Sequence, residues 1–281
     1  MSRQGIYRFS SIGRPLEPEY PSNRAVLFLL PVAAVIGAVL AWLDGAGATG
    51  MLQAGALIAL IGFGTWALAR EFDPDHDAAA FIAMAVGFLT AIFVDGPGIL
   101  LLFATLGLVR MVNRSTGLTA RMSDSVILLL LTILIIYTTN SPLFGLAAGL
   151  AFILDGSLRE PLRSQWVFGL ISMGATVVYL VDHGMGPSLL AVPKSLYGWL
   201  ALLFLLIFAL NALLLKSVQS TGDCSDKPLN PGRVRAGMAV GLLAALQGIH
   251  AADKVVLVVV VIAAVGAAMA FRRSFRSPAK S

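Results

Sequence analysis

The sequence predicts an all-α fold: a polytopic transmembrane helix bundle of about ten spans, with both chain ends in the cytoplasm. Hydrophobic residues make up 58% of the 281 positions and charged residues only 12%, about half the charged share of an ordinary soluble domain. The mean hydropathy is +0.86. Such a chain has too little polar surface to cover a water-soluble globule, and its charges lie between apolar runs, where membrane loops would be.

Ten apolar segments predict the individual helices. A helix needs roughly 17 to 25 apolar residues to cross a hydrocarbon core of about 30 Å, and shorter ones are accommodated by bilayer thinning. The clearest segments are 25–43, 51–69, 78–94, 197–215 and 255–271. The shorter ones are 99–112, 125–139, 142–154, 166–181 and 234–249. Because 99–112, 142–154 and 234–249 are short enough to be re-entrant, we expect roughly eight to ten spans.

The distribution of lysine and arginine predicts the orientation. Of these 20 residues, all but Lys194 and Lys254 fall on the side that carries both chain ends, and basic residues in short loops are retained in the cytoplasm. We therefore expect a cytoplasmic N-terminal segment (1–24), a single transmembrane helical domain (25–271) and a basic cytoplasmic tail (272–281). The expected location is a plasma membrane of the bacterial inner-membrane type, with the lipid bilayer as a partner.

Composition and motifs also argue against several functions. The formal net charge is +5, but the basic residues alternate with membrane segments, so no nucleic-acid partner is expected. Cys224 is the only cysteine, so no disulfide partner exists within the chain. The sequence contains no His-Glu-x-x-His, Gly-x-Ser-x-Gly or Walker-type motif, which argues against the commonest metalloprotease, hydrolase and nucleotide-driven functions.

Polar residues inside the predicted spans are mild ones, and no charged residue lies near the middle of a span. We expect these side chains to bond neighbouring helices; they are Gln53, Thr65, Thr90, Thr105, Thr132, Ser172, Thr176, Asn211 and Gln247. Glycine pairs at four-residue spacing predict close helix packing; they are Gly145 with Gly149 and Gly237 with Gly241. Asp77 is expected to cap the third helix, and Ser141 followed by Pro142 to start the sixth.

The loop between the second and third segments is rich in acidic residues. Asp73, Asp75 and Asp77 alternate along it, next to Glu71 and His76. Hard cations such as Mg²⁺ prefer clustered carboxylate oxygens and combine them with substrate phosphates. The three aspartates are therefore candidate ligands of a Mg²⁺ ion.

The following predicted cytoplasmic loops supply candidate phosphate-binding residues, namely Arg110, Arg114, Arg121, Arg159 and Arg163. Guanidinium groups bind phosphate oxygens bidentately. The leading hypothesis is a membrane-embedded enzyme or binding protein that handles a lipid or isoprenoid phosphate at the cytoplasmic interface with a divalent metal. The competing interpretation is that the arginines only obey the positive-inside rule and contact anionic headgroups, while the acids pair with them.

The position of the acidic loop resembles that in the intramembrane prenyltransferases, whose aspartate-rich motifs follow the second and sixth helices. Those enzymes attach isoprenoid chains to aromatic acceptors, so the resemblance implies an isoprenoid substrate at the cytoplasmic face. It is one of placement only. The family has an Asn-Asp-x-x-Asp-x-x-x-Asp pattern, whereas Asp73, Asp75 and Asp77 are two residues apart, and the loop after the sixth segment offers only Asp155 and Glu160.

Two further function classes and one alternative site stay open. Polar residues on the predicted outer face form a loose candidate metal set of Asp95, Asp182, His183, His250 and Asp253, although helix ends commonly carry such residues.

A ten-helix transporter for a small solute would depend on mild polar groups such as Asn211 and Gln247, because charged midplane groups typical of coupled carriers are missing. The third class is a non-catalytic assembly partner.

Overall fold

A computed structural model of the chain shows ten α-helices of two or more turns among the residues that it describes. The structure describes residue 7 and residues 9–94, 98–184, 193–225, 227–249 and 252–275, with residues 252–254 described by their backbone alone. Within these ranges the only β-structure is an isolated bridge between Thr221 and Pro228. The all-α prediction is therefore confirmed.

Each predicted segment corresponds to one helix. In chain order these are α1 Pro21–Leu43, α2 Ala48–Phe72, α3 Asp77–Phe93, α4 Ile99–Asn113, α5 Met122–Thr139, α6 Pro142–Ser157, α7 Gln165–His183, α8 Leu196–Leu213, α9 Pro231–Ala245 and α10 Ala252–Phe275. The segment 234–249 was expected to be one helix, but the α-helix ends at Ala245 and a 3₁₀ turn, Leu246–Ile249, completes it.

Six of the helices, α1, α2, α5, α7, α8 and α10, are long and apolar enough to cross a membrane. Their outward faces carry large apolar side chains, such as Phe28 and Val35 on α1 and Val178 and Val181 on α7. Exposed apolar surface of this extent is unfavourable in water and favourable in lipid. The architecture is consistent with a helical membrane protein.

Ion pairs and hydrogen bonds bring together the ends of α2, α4, α6 and α10 and the start of α9. Contacts between these ends define one face of the bundle, here called the polar end. Arg114 after α4 meets Asp155 near the end of α6 and Arg233 at the start of α9. Arg272 near the end of α10 contacts Asp73 after α2. The four predicted cytoplasmic loops and the end of α10 therefore meet at one end of the bundle.

Glycine pairs permit close packing around the central helices. A Cβ atom at Gly145 of α6 would lie 2.0 Å from Thr176 Oγ1 of α7, and one at Gly237 of α9 would lie 2.1 Å from Asn113 Oδ1 of α4. Neither space admits a methyl group without a shift of the neighbour. The prediction that these glycines serve helix packing is confirmed.

Two local predictions need correction. Asp77 does not cap α3, because His76 is the N-cap residue and Asp77 already lies in the first turn, where it pairs with Arg70. Ser141 does precede Pro142 at the start of α6, but its hydroxyl caps no helix N–H group. It accepts instead from Gln247 Nε2 at 2.6 Å, which joins α6 to the 3₁₀ turn after α9.

The mild polar residues only partly bridge helices. Asn211 Nδ2 donates to the Gly266 carbonyl of α10 at 3.2 Å, and Ser172 Oγ donates to the Gly145 carbonyl of α6 at 2.9 Å. The threonine hydroxyls, by contrast, donate to carbonyls of their own helices, in the pairs Thr65–Ile61, Thr90–Val86, Thr105–Leu101, Thr132–Leu128 and Thr176–Ser172. A buried threonine reaches the carbonyl four residues back more readily than a neighbouring helix.

Candidate functional site

Glu71, in the last turn of α2, is the centre of the larger ion-pair network at the polar end. Its buried Oε1 accepts from Arg14 Nη1 at 3.2 Å, Arg110 Nε at 3.1 Å and Ser115 Oγ at 3.2 Å. Asn113 Nδ2 donates to the Glu71 carbonyl at 2.8 Å. One carboxylate thus joins the N-terminal segment, α2 and the end of α4.

Asp155 is the centre of a second, more deeply buried cluster. Its Oδ1 accepts from Arg114 Nε at 2.9 Å and from Arg233 Nη1 at 2.8 Å. Arg233 also donates to the carbonyls of Val112 at 2.9 Å and Arg159 at 2.7 Å. Since one fully buried carboxylate faces two buried guanidinium groups, this cluster fixes the ends of α4, α6 and α9 relative to one another.

A cavity of about 390 Å³ opens beside the Glu71 network. We call it the polar-end cavity. It lies between the N-terminal segment, the start of α1, the last turns of α2, Arg110 of α4 and residues 220–225. Its volume falls within the range of small-molecule sites, about 300 to 1,000 Å³.

One face of α2 forms a wall of the cavity that changes from apolar to charged. Phe63, Trp66, Ala67 and Arg70 all line it, and their spacing of three, four and seven residues places them on one helix face. From Phe63 to Arg70 the helix rises by about 10 Å. Phe63 also stacks with Phe103 of α4, with 6.3 Å between the ring centroids. The wall therefore offers aromatic surface at one level and a guanidinium at the next.

Arg14 joins the N-terminal segment to the cavity. Its Nε and Nη2 donate to Asp223 at 2.7 and 2.6 Å, in addition to its bond with Glu71. Burial acts to lower the pKa of Arg14, but Glu71 and Asp223 outweigh that effect and raise the pKa above its ordinary value. Arg14 is therefore a permanently charged part of the lining.

The three candidate metal ligands have separate partners. Asp73 is buried and contacts Arg272 and His76 Nδ1, the latter at 3.0 Å. Asp75 is exposed and accepts from the Gln219 and Ser220 backbone N–H groups at 3.0 and 2.8 Å. Asp77, as noted above, pairs with Arg70. Among the described residues, no three His, Cys, Asp or Glu side chains are grouped so as to hold a metal ion, and Mg²⁺ binding stays a prediction.

Asp75 fastens the connection between α8 and α9 to the polar end. Burial acts to raise the pKa of its carboxyl group, but hydrogen bonds from Gln219 and Ser220 outweigh that effect and hold the pKa below its ordinary value. The same connection borders the polar-end cavity and a second, open cavity of about 710 Å³ that Asp73, Asp75 and His76 help to line.

The five candidate phosphate-binding arginines do not converge on one cavity. Arg110 lines the polar-end cavity, whereas Arg114 is buried against Asp155. Arg121 is exposed, and its Nε donates to the Tyr7 carbonyl at 3.1 Å. Arg159 and Arg163 are exposed on the loop after α6. The loops 70–77 and 110–124 thus reach the cavity, and the loop 155–163 meets them only through the Asp155 cluster.

The alternative outer set is described only in part. Asp182 and His183 lie at the end of α7, where His183 stacks on Tyr179 with 4.4 Å between ring centroids. Asp95 and His250 lie outside the described residues, as does the side chain of Asp253. A metal at this position stays a prediction.

Sequence reasoning did not single out Glu71, Arg14, Asp223 or Arg233 as site residues. Glu71 carries one sequence signal, since a carboxylate in the last turn of a long apolar helix must be paired if it is buried. Arg14 and Arg233 resembled ordinary positive-inside residues, and their partners are distant in sequence.

Comparison of the chain with protein-family models, curated proteins and solved structures gave no match.

Proposed function

We propose that the chain is a ten-span membrane protein with its polar end in the cytoplasm, which binds a lipid or isoprenoid phosphate in the polar-end cavity. The observation that carries the proposal is the α2 wall, on which Phe63 and Trp66 lie beneath Arg70 within one cavity. An amphiphile with a phosphate headgroup has the same order of properties along its length. Arg14 and Arg110 also line the cavity at this level, each paired with Glu71.

The distribution of lysine and arginine supports the proposed orientation. The polar end gathers the loops that hold nearly all of these residues, and the cytoplasmic leaflet is the side on which such loops are retained. A phosphate headgroup at the same leaflet would lie at the level of the arginines. The apolar tail would extend past Phe63 toward the hydrocarbon core.

Arg70 is the residue of choice for a test, because Arg14 and Arg110 also hold Glu71 and their removal would disturb the fold. The protein in nanodiscs is titrated with a polyprenyl phosphate and, separately, with the corresponding alcohol. Arg70→Gln should weaken phosphate binding by about 1.5–3 kcal/mol, roughly tenfold or more. It should leave binding of the alcohol unchanged.

Arg163→Gln is the matched control, because it removes one positive charge from the same end of the bundle at an exposed position outside the cavity. It should leave binding within about twofold of the wild type, since a single exposed charge contributes little. Equal losses in the two variants would indicate nonspecific attraction to anionic lipid and refute the proposal. Wild-type binding by Arg70→Gln would refute it as well.

The proposal extends to a divalent metal as a separate element. The clustering of Asp73, Asp75 and Asp77 in one loop supports it, because Mg²⁺ prefers carboxylate oxygens. None of the three lines the polar-end cavity itself. Titrations in Mg²⁺ and in EDTA test this element. If Mg²⁺ strengthens phosphate binding in the wild type but not in Asp75→Asn, the metal is part of the site. Equal phosphate binding in Mg²⁺ and in EDTA would exclude a metal from the site.

A further inference from the structure

The polar-end cavity has more hydrogen-bond donors than acceptors left to offer a ligand. Its lining contains three acidic and three basic side chains, so formal charge alone favours neither an anion nor a cation; they are Glu17, Glu71, Asp223, Arg14, Arg70 and Arg110. The two kinds of group differ, however, in how far the protein already satisfies them.

The three carboxylates that line the cavity are occupied. Both oxygens of Glu71 accept hydrogen bonds, three at Oε1 and one, from Asn113 at 3.4 Å, at Oε2. Both oxygens of Asp223 also accept, from Arg14 and, at 3.3 Å, from the Tyr7 hydroxyl. Glu17 is engaged as well. A cationic headgroup entering the cavity would have to displace these bonds and approach three guanidinium groups.

Donors of three different kinds are left over. Trp66 lines the cavity and is 5% exposed, yet its Nε1–H has no hydrogen-bond partner among the described residues. Among the described residues, Arg70 is paired only through Nη1, with Asp77, so its other N–H groups are available to a ligand. The start of α1 borders the cavity at Ser22 and Asn23, and no side chain caps this helix. Its first N–H groups therefore lack partners within the helix.

We infer that the cavity selects a terminal phosphate monoester on a lipid or isoprenoid chain and rejects zwitterionic phospholipid headgroups. A terminal phosphate carries about −1.5 to −2 charges and three strong acceptor oxygens, which match an indole N–H, a guanidinium and a helix N-terminus. A phosphodiester with choline or ethanolamine has fewer free oxygens and adds a cation for which no carboxylate is open. This inference rests on the proposed function.

The test compares headgroups on identical acyl chains. Phosphatidic acid, phosphatidylcholine, phosphatidylethanolamine and diacylglycerol are titrated onto the full chain in nanodiscs, and bound lipid is counted by native mass spectrometry. We expect phosphatidic acid to bind at least tenfold more tightly than the other three. Glycerol 3-phosphate at millimolar concentration should not displace it; complete displacement would assign the site to a soluble phosphate ester and overturn the choice of a lipid.

Trp66→Phe probes the unsatisfied donor directly, because it removes the N–H group and keeps an aromatic ring on the wall. We expect a loss of threefold to tenfold in phosphatidic acid affinity and no change for diacylglycerol. The matched control is Trp199→Phe on α8, where the indole is 51% exposed, and it should bind as the wild type does. Equal effects of the two variants would overturn the role of Trp66.

The outcomes separate the two proposals. If no phosphate-bearing lipid binds, the proposed function fails and this inference fails with it. If lipids bind and Arg70→Gln weakens them, but phosphatidylcholine and phosphatidylethanolamine bind as tightly as phosphatidic acid, only the headgroup selectivity is refuted.

Discussion

Asp155→Asn should destabilise the bundle strongly, because it removes the buried carboxylate that bonds two buried guanidinium groups. The side chains of Asp155, Arg114 and Arg233 are 0%, 7% and 5% exposed, respectively. Asparagine keeps the shape of the side chain and one acceptor oxygen. What it removes is the negative charge, so the change isolates the electrostatic contribution of the cluster.

The size of the effect follows from the geometry. Arg114 Nε and Arg233 Nη1 bond the same oxygen at 2.9 and 2.8 Å, so these nitrogens lie within about 6 Å of each other. At an effective dielectric constant near 20, two unit charges at that distance repel by about 3 kcal/mol. Breaking a buried pair by removal of one partner costs about 3–5 kcal/mol in general, so we expect a loss of that order.

Thermal unfolding in detergent, followed by intrinsic fluorescence, measures this loss. A destabilisation of about 3–5 kcal/mol lowers the Tm by on the order of 10 °C for a chain of this size. Asp182→Asn is the control, because Asp182 has the same chemistry but its side chain is 74% exposed, and it should shift the Tm by a degree or less. Adding Arg233→Gln to Asp155→Asn should restore part of the stability, since it removes one of the two repelling charges.

Two results would argue against an electrostatic role of the Asp155 cluster. A Tm of Asp155→Asn within about 2 °C of the wild type would show that the buried charges are screened far better than their exposure implies. A double variant with Arg233→Gln that is less stable than Asp155→Asn alone would show that Arg233 acts through packing, not through charge.

Three further predictions concern packing, pH and orientation. Gly237→Ala places a Cβ 2.1 Å from Asn113 Oδ1 and should lower the free energy of unfolding by about 1–3 kcal/mol. The control is Gly174→Ala, whose Cβ meets no atom within 4 Å and which should not destabilise the protein. Thermal unfolding of both variants measures the difference. The pKa of Asp75 is lowered in the folded protein, so its hydrogen bonds stabilise the connection between α8 and α9 fully above the ordinary pKa of about 4. This stabilisation is lost as the pH falls through the lower pKa of the folded state. Amide exchange in the connection, corrected to a common intrinsic rate, should therefore rise in acid and in Asp75→Asn. A reporter fused after Arg273 should be active in the cytoplasm, and an exterior signal would reverse the assigned orientation.

The helices could be predicted from the sequence because lipid imposes a simple rule. A segment that leaves water must satisfy all its backbone groups internally, so each apolar run became a helix, as with 99–112 and the observed Ile99–Asn113. The sequence predicts a later start for α9, at residue 234, because Arg233 and Arg235 are typical of a loop. Asn230 caps this helix at Gly232 and Arg233, and Arg233 is buried because Asp155 lies opposite.

The site was harder to predict, because its residues meet only through tertiary structure. The pattern of Asp73, Asp75 and Asp77 suggested a shared role, yet each side chain points to a partner on a different element. Glu71 accepts hydrogen bonds from Arg14, which lies 57 positions earlier in the chain, and from Arg110, which lies 39 positions later. No local sequence spacing predicts such pairs, and no similar protein was found from which the pairs could be inferred.

Photocrosslinking with a polyprenyl phosphate that carries a diazirine next to the phosphate tests lipid binding in the polar-end cavity most directly. After irradiation of the full chain in nanodiscs, peptide mapping locates the adducts. We expect adducts on residues 14–23 and 63–70, which border the polar-end cavity, and we expect excess phosphatidic acid to abolish them. Adducts confined to the outward faces of α1 and α7, and unaffected by the competitor, would show that the lipid binds elsewhere and would refute the proposed site.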